Sequence, residues 1–194
     1  MRRFALAALA LMAAFTAASA ADMYGSSKDT PITARVNSGV YIGGFVGTDM
    51  HSVDGTRDGE SVTVGLDGYK ITGRIGYDHC IASTCSFIIG AYGDVAYSNA
   101  NTAGATAAWS YDLGIRAGIP LGGTVLYGTG GFEWDDFKIT NGSYAPSGPF
   151  AGAGVQFDLG NKWAGTVELR RAWVDKSNTS DTRDSVMLGV VKFF

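Results

Sequence analysis

Long apolar runs are missing from this chain: beyond the first twenty positions no stretch approaches the roughly 18 residues that a membrane helix needs. A helical membrane protein is excluded. Charge is scarce too, at 17% of the 194 residues against roughly 25% in ordinary soluble domains. A formal net charge of -3 removes the electrostatic basis for nucleic acid as the main partner. Proline is held to four copies, and with 9 Tyr, 10 Phe and 4 Trp the chain has far too much aromatic surface to remain disordered. Glycine is abundant instead, at 28 copies. One domain's worth of a compact, glycine-rich and aromatic-rich β protein remains.

The N-terminus combines Met1-Arg2-Arg3, an apolar stretch from Phe4 to about Phe15, and Ala18-Ser19-Ala20. A basic region, a short hydrophobic region and a small-x-small site are the parts of a secretory signal peptide, placed at 1–20. The arginine pair lacks twin-arginine flanks, so the general secretory route is expected. Cleavage after Ala20 removes two arginines and no acids, taking the formal charge from -3 to -5. A polar segment, 21–38, is expected to lie in the periplasm.

From residue 39 to 194 the chain breaks into segments of about ten residues separated by Gly, Asn, Asp and Ser clusters, with no helical period. The alternation is clearest in Tyr69, Ile71, Gly73, Ile75, Tyr77; in Phe87 through Tyr97; in Trp109 through Ile119; and in Trp163 through Trp173, taking every second residue. The opposite phase carries Lys70, Thr72 and Arg74, then Asp94, then Asp112 and Arg116, then Glu168 and Arg170. The segments Leu126 to Trp134 and Phe150 to Phe157 break the pattern, as β-bulges would.

A soluble sandwich or lipocalin produces the same period, so the placement of aromatics has to decide. Trp163 and Trp173 share a face ten residues apart, as do Phe87 and Tyr97. At roughly 3.3 Å per residue and a strand tilt near 40°, that spacing spans about 25 Å along a membrane normal, the height of the apolar band of an outer-membrane barrel. Tyr69, Tyr77 and Trp109 complete the expected aromatic girdle. Eight such segments give an all-β, eight-stranded, antiparallel, up-and-down transmembrane β-barrel. Polar connections at Asp49 to Gly65, Asn99 to Ala107, Asp136 to Gly148 and Asp175 to Asp184 alternate with short ones. That asymmetry puts long loops outside and both termini in the periplasm.

The inward set is expected to be Lys70, Arg74, Arg116 and Arg170 facing Asp94, Asp112, Glu133 and Glu168. An eight-stranded barrel is just wide enough to be filled by side chains, so these charges read as interlocking ion pairs that close the lumen. A narrow, gated pore opened by pair exchange is the alternative. Cys80 and Cys85 sit in one short turn of an exported chain and are expected to form a disulfide. Their spacing with His79 fits no standard zinc pattern, and no metal or cofactor is expected. His51 and His79 fall at opposite ends of the barrel, which leaves no catalytic constellation, and an enzyme is not expected.

Four segments, Val40-Tyr41-Ile42-Gly43-Gly44-Phe45-Val46-Gly47, Gly73-Arg74-Ile75-Gly76-Tyr77-Asp78, Leu126-Tyr127-Gly128-Thr129-Gly130-Gly131-Phe132 and Gly152-Ala153-Gly154-Val155-Gln156-Phe157, occur in an order that resembles one family. It is that of the small outer-membrane barrels of Gram-negative bacteria, of the opacity-protein and porin-like surface-antigen type. The resemblance implies insertion by the barrel assembly machinery, with Gly189 and Phe194 matching the C-terminal signal. Gln156 stands where similar proteins carry an acid, Leu169 where they carry Tyr, and Lys192 where they carry an aromatic residue. The expected role is that of a monomeric structural and surface protein in contact with outer-membrane lipid and lipopolysaccharide. Its outer loops, with Asp49, Asp54, Asp58 and Glu60 in the first, would meet a host surface ligand.

Overall fold

The computed structural model describes residues 37–57, 60–81, 85–99, 105–139, 142–144, 146–176 and 179–194. The signal peptide and most of the polar lead lie outside the described residues, as do the side chains of Asp54, Asp58 and Glu60. The strands are β1 (Gly39–Arg57), β2 (Glu60–Ile81), β3 (Phe87–Ser98), β4 (Ala105–Leu121), β5 (Thr124–Ile139), β6 (Gly142–Tyr144), β7 (Ser147–Gly160), β8 (Trp163–Lys176) and β9 (Thr179–Phe193). Every pairing is antiparallel, and β9 pairs back onto β1, with Tyr41 opposite Phe193, to close the ring. The three-residue β6 and the longer β7 follow one another along the same edge of β5. Nine segments therefore make eight staves, and closure leaves no exposed sheet edge.

The barrel is inverted relative to a soluble one. Outside lie aliphatic and aromatic side chains such as Ile75, Leu113, Ile115 and Leu126, with all seven expected girdle residues, Tyr69, Tyr77, Phe87, Tyr97, Trp109, Trp163 and Trp173, among the exposed aromatics. Inside lie arginines and carboxylates. A lipocalin interior would have to be apolar, so this partition excludes the soluble reading. The interior apolar contacts fall into two clusters, one around Tyr41, Phe45, Tyr92 and Phe150, the other joining Ile88, Val125 and Tyr127.

Two expectations are corrected. The connections read as long loops are largely strand: β1 and β2 stay paired from Gly39↔Asp78 out to Arg57↔Glu60. In the same way β8 and β9 are paired out to Lys176↔Thr179. Val53, Thr56, Val62, Thr63 and Val64 favour extended backbone, and continued pairing satisfies peptide groups that a loop would leave to water. The asymmetry between the two ends thus resides in strand length rather than loop length. Bulges do not explain the broken alternation either, because β5 and β7 pair without a shift from Thr124↔Phe157 to Trp134↔Ser147. The reason is residue size: Tyr127 and Phe150 point inward while Gly128, Gly130, Ala151 and Ala153 line the outer face, which blurs the hydropathy contrast.

At the end that carries the termini, the turns are tight. Asn161 and Lys162 connect β7 to β8 with φ of 52° and 65°, the left-handed pair a two-residue hairpin turn requires. Lys192, on the outer face, lays its ammonium 5.0 Å from the Trp163 ring and donates to the Asn161 carbonyl at 2.6 Å. A lysine is thereby accommodated at the membrane edge by snorkelling. Cys80 and Cys85 are joined as a disulfide, packed against the Ile88, Val125 and Tyr127 cluster. The bridged loop is short, so replacing both cysteines by serine is expected to lower stability by about 2 kcal/mol, the lower part of the usual range. The shift of the urea refolding midpoint measures it, and reductant should shift the unmodified protein equally.

Candidate functional site in the barrel interior

The period-two geometry of the strands aims alternate side chains at one axis, so residues remote in sequence converge there. Arg74 on β2 is the hub. Its Nε and Nη2 donate to the two oxygens of Asp94 at 2.7 and 2.8 Å, and its Nη1 and Nη2 cross the lumen to Glu168 on β8 at 2.9 and 3.1 Å. The guanidinium lies between two rings, with its carbon 4.0 Å from the Tyr92 centroid and 4.5 Å from that of Phe45. Arg170 reaches Asp112 at 2.7 Å, Glu168 at 3.0 Å and Asp94 at 3.2 Å, over the Phe150 ring. Tyr127 donates to Glu168 at 2.9 Å. Planar guanidinium forks suit this sharing of carboxylates, and the low local dielectric strengthens every bond in the chain.

A second group lies towards the end where the strands extend. Lys70 approaches Glu133 at 3.2 Å, and Arg183 on β9 pairs with Glu133 and, at 3.2 Å, with Asp135. A third lies towards the termini, where Arg116 meets the Asp78 carboxylate at 3.0 Å and donates to Gln156 at 2.8 Å, over the Tyr127 ring. Gln156 accepts a hydrogen bond from Arg116, and the negative charge beside Arg116 comes from Asp78 on β2.

All eight expected network residues are buried, and each takes part in at least one ion pair. Sequence reasoning missed Asp49, Asp78, Asp135 and Arg183, which are buried in the same interior. Asp78 and Asp135 were accessible to it, since they continue the phase of Arg74 and Glu133. Asp49 and Arg183 were hidden by their assignment to outer loops, whereas both lie on paired strand and point into the lumen. With these four, five bases, Lys70, Arg74, Arg116, Arg170 and Arg183, face seven acids, Asp49, Asp78, Asp94, Asp112, Glu133, Asp135 and Glu168. Both carboxylate oxygens of Asp49 are buried, with no hydrogen-bond partner among the described residues. Among the described residues, no group of three His, Cys, Asp or Glu side chains is placed to hold a metal ion.

A closed antiparallel barrel with an aliphatic exterior, aromatic borders and a charged interior is a transmembrane outer-membrane barrel. The chain belongs to the outer membrane protein beta-barrel domain family, whose model matches residues 6–193. Neisserial surface protein A is similar in structure at 14% identity, covering 82% of this chain and 100% of that one with a TM-score of 0.55, which shows a shared fold. The attachment invasion locus protein Ail of Yersinia pestis aligns at 14% identity over 80% of this chain and 98% of that one, with a TM-score of 0.47. The N-terminal barrel domain of Pseudomonas aeruginosa OprF aligns at 13% identity over 75% and 96%, with a TM-score of 0.42. No curated protein sequence matches.

Proposed function

We propose that this outer-membrane barrel is a structural and surface protein whose lumen is plugged by its own ion pairs and whose extended strand ends present loops to a partner outside the cell. The carrying observation is the Arg74, Asp94, Glu168 and Arg170 cluster, which spans the interior from β2 and β3 to β8 with every guanidinium in contact with carboxylates. Groups so paired are committed to the network rather than to catalysis, and no enzymatic step is assigned to them. In this reading the chain is exported by the general secretory route and inserted by the assembly machinery through its C-terminal strand. It stands as a monomer among phospholipid and lipopolysaccharide, with both termini in the periplasm.

One observation favours a second reading, a narrow channel for small cations. Among the described residues seven buried acids exceed five buried bases, and oxygens of Asp49, Asp112 and Glu133 have no hydrogen-bond partner there. A lumen of that sign would admit cations over anions. Single-channel recording in planar bilayers separates the two. The plugged barrel gives a silent bilayer from protein whose faster migration in unheated gels shows it folded, and Arg116→Ala either introduces conductance steps or lowers stability. Resolved, reproducible steps from the unmodified protein would replace the plug with the channel.

A further inference from the structure

The outer wall of the barrel carries a hollow of about 780 Å³ that spans β2 to β5. Two adjacent register rows define it: His79, Ile89, Ala117 and Gly128 in one, Tyr77, Ala91, Ile115 and Gly130 in the other. Its floor is Ala91, Ala117, Gly128 and Gly130, while neighbouring outward positions carry Leu113, Ile119, Leu126 and Phe132. The two floor glycines are not demanded by the fold. A Cβ on Gly128 would find its nearest neighbour, the Gly152 carbonyl oxygen, 3.9 Å away, and one on Gly130 would sit 3.5 Å from the Phe150 carbonyl oxygen. Both are ordinary contacts, so the missing side chains shape the outer surface rather than the barrel.

This face belongs to the apolar band, where the surrounding medium is hydrocarbon. One polar group stands at its edge. His79 is exposed, stacks on Tyr77 with ring centroids 6.5 Å apart, and makes no hydrogen bond to any described residue. It lies one residue before Cys80, at the end of the barrel that carries the termini. An imidazole on a lipid-facing surface is costly without a partner, and in either protonation state it offers at least one N–H donor.

We propose that the hollow is a binding site for one glycerophospholipid, with an acyl chain lying over Ala91, Ala117, Gly128 and Gly130 and a headgroup phosphate oxygen accepting a hydrogen bond from His79. Tyr77 forms the wall between the two regions, its ring against the chain and its hydroxyl at headgroup level. The site goes beyond the structural reading, because it lies on the outer wall and needs nothing from the lumen.

Native mass spectrometry of the full chain, extracted in mild detergent and delipidated, tests it. Phosphatidylglycerol or phosphatidylethanolamine titrated back is expected to saturate at one molecule per barrel, and diacylglycerol, which lacks the phosphate, to bind about tenfold more weakly, the scale of one hydrogen bond to a charged group. Gly128→Leu with Gly130→Leu fills the hollow and should reduce phospholipid occupancy at least about tenfold while the gel shift of the folded barrel persists. His79→Ala should bring phospholipid and diacylglycerol to the same occupancy. Millimolar inorganic phosphate should displace nothing. Should the double leucine variant fail to fold, Ala117→Leu carries the same expectation. Undiminished occupancy in a folded filled variant, displacement by phosphate alone, or no phospholipid bound by the folded unmodified protein would overturn the assignment.

Discussion

Replacing Arg74 by alanine is expected to destabilise the barrel by about 3–5 kcal/mol, the cost of removing one partner from a buried ion network. Asp94 and Glu168 lose four hydrogen bonds in that substitution, and Arg170, at 3.2 and 3.0 Å from the same two carboxylates, is left as their shared cation. Tyr92 and Phe45 lose the planar group between them. Urea titration of refolding, read by the gel shift, measures the effect. Arg171 supplies the control. Its pair with Asp184 is equally short, at 2.6 Å, but lies on the outer wall next to the girdle residue Trp173, with the Arg171 side chain 53% exposed and one carboxylate rather than two depending on it, so Arg171→Ala is expected to cost clearly less than Arg74→Ala. Equal losses at the two sites would remove the interior network from the account of stability.

The second large effect is expected at Gly131. A Cβ there would collide with the carbonyl oxygen of Leu113 and with the Cα of Gly114, both backbone atoms of the adjacent β4, and with the Phe150 ring. Backbone on a paired strand has nowhere to move without breaking the ladder, so Gly131→Ala should cost roughly 3 kcal/mol or more, the upper end for overpacking. The folded, fast-migrating form should be greatly diminished. Gly114 has a different neighbour: its Cβ would meet the ring of Tyr92, a side chain. Gly130, one residue from Gly131 and facing outward, should tolerate alanine with little change. Comparable folding of the Gly131 and Gly130 alanine variants would sink this argument.

If the interior pairs hold the staves together, the plug is a structural element, and loss of Arg74 opens the lumen only by weakening the wall. Arg116 is the more informative place to look for conductance, because its contacts with Asp78 and Gln156 lie towards one end of the network and leave the central cluster intact.

Much of this protein was determined by the sequence alone. Period-two alternation with aromatics ten residues apart is a one-dimensional signal, because a strand in a membrane must show lipid on one side and the lumen on the other, and eight such segments close a barrel. Seven of the eight expected interior charges, all but Glu133 on β5, followed from the same phase, and the cysteine pair from two cysteines in one short turn of an exported chain. Tertiary structure decided what depends on distance between strands. Arg74 meeting Glu168 on the far wall, Lys70 meeting Glu133, and Asp78 providing the charge beside Gln156 are consequences of register and closure, which no local pattern encodes. The faces of β5 and β7 were resolved only in three dimensions, since Tyr127 and Phe150 fill the lumen while glycine and alanine face lipid, against the rule that the apolar side chain marks the outside. Arg183 was lost to a loop for a related reason: whether a polar segment stays paired is settled by its neighbour, and β8 holds β9 in register past that residue.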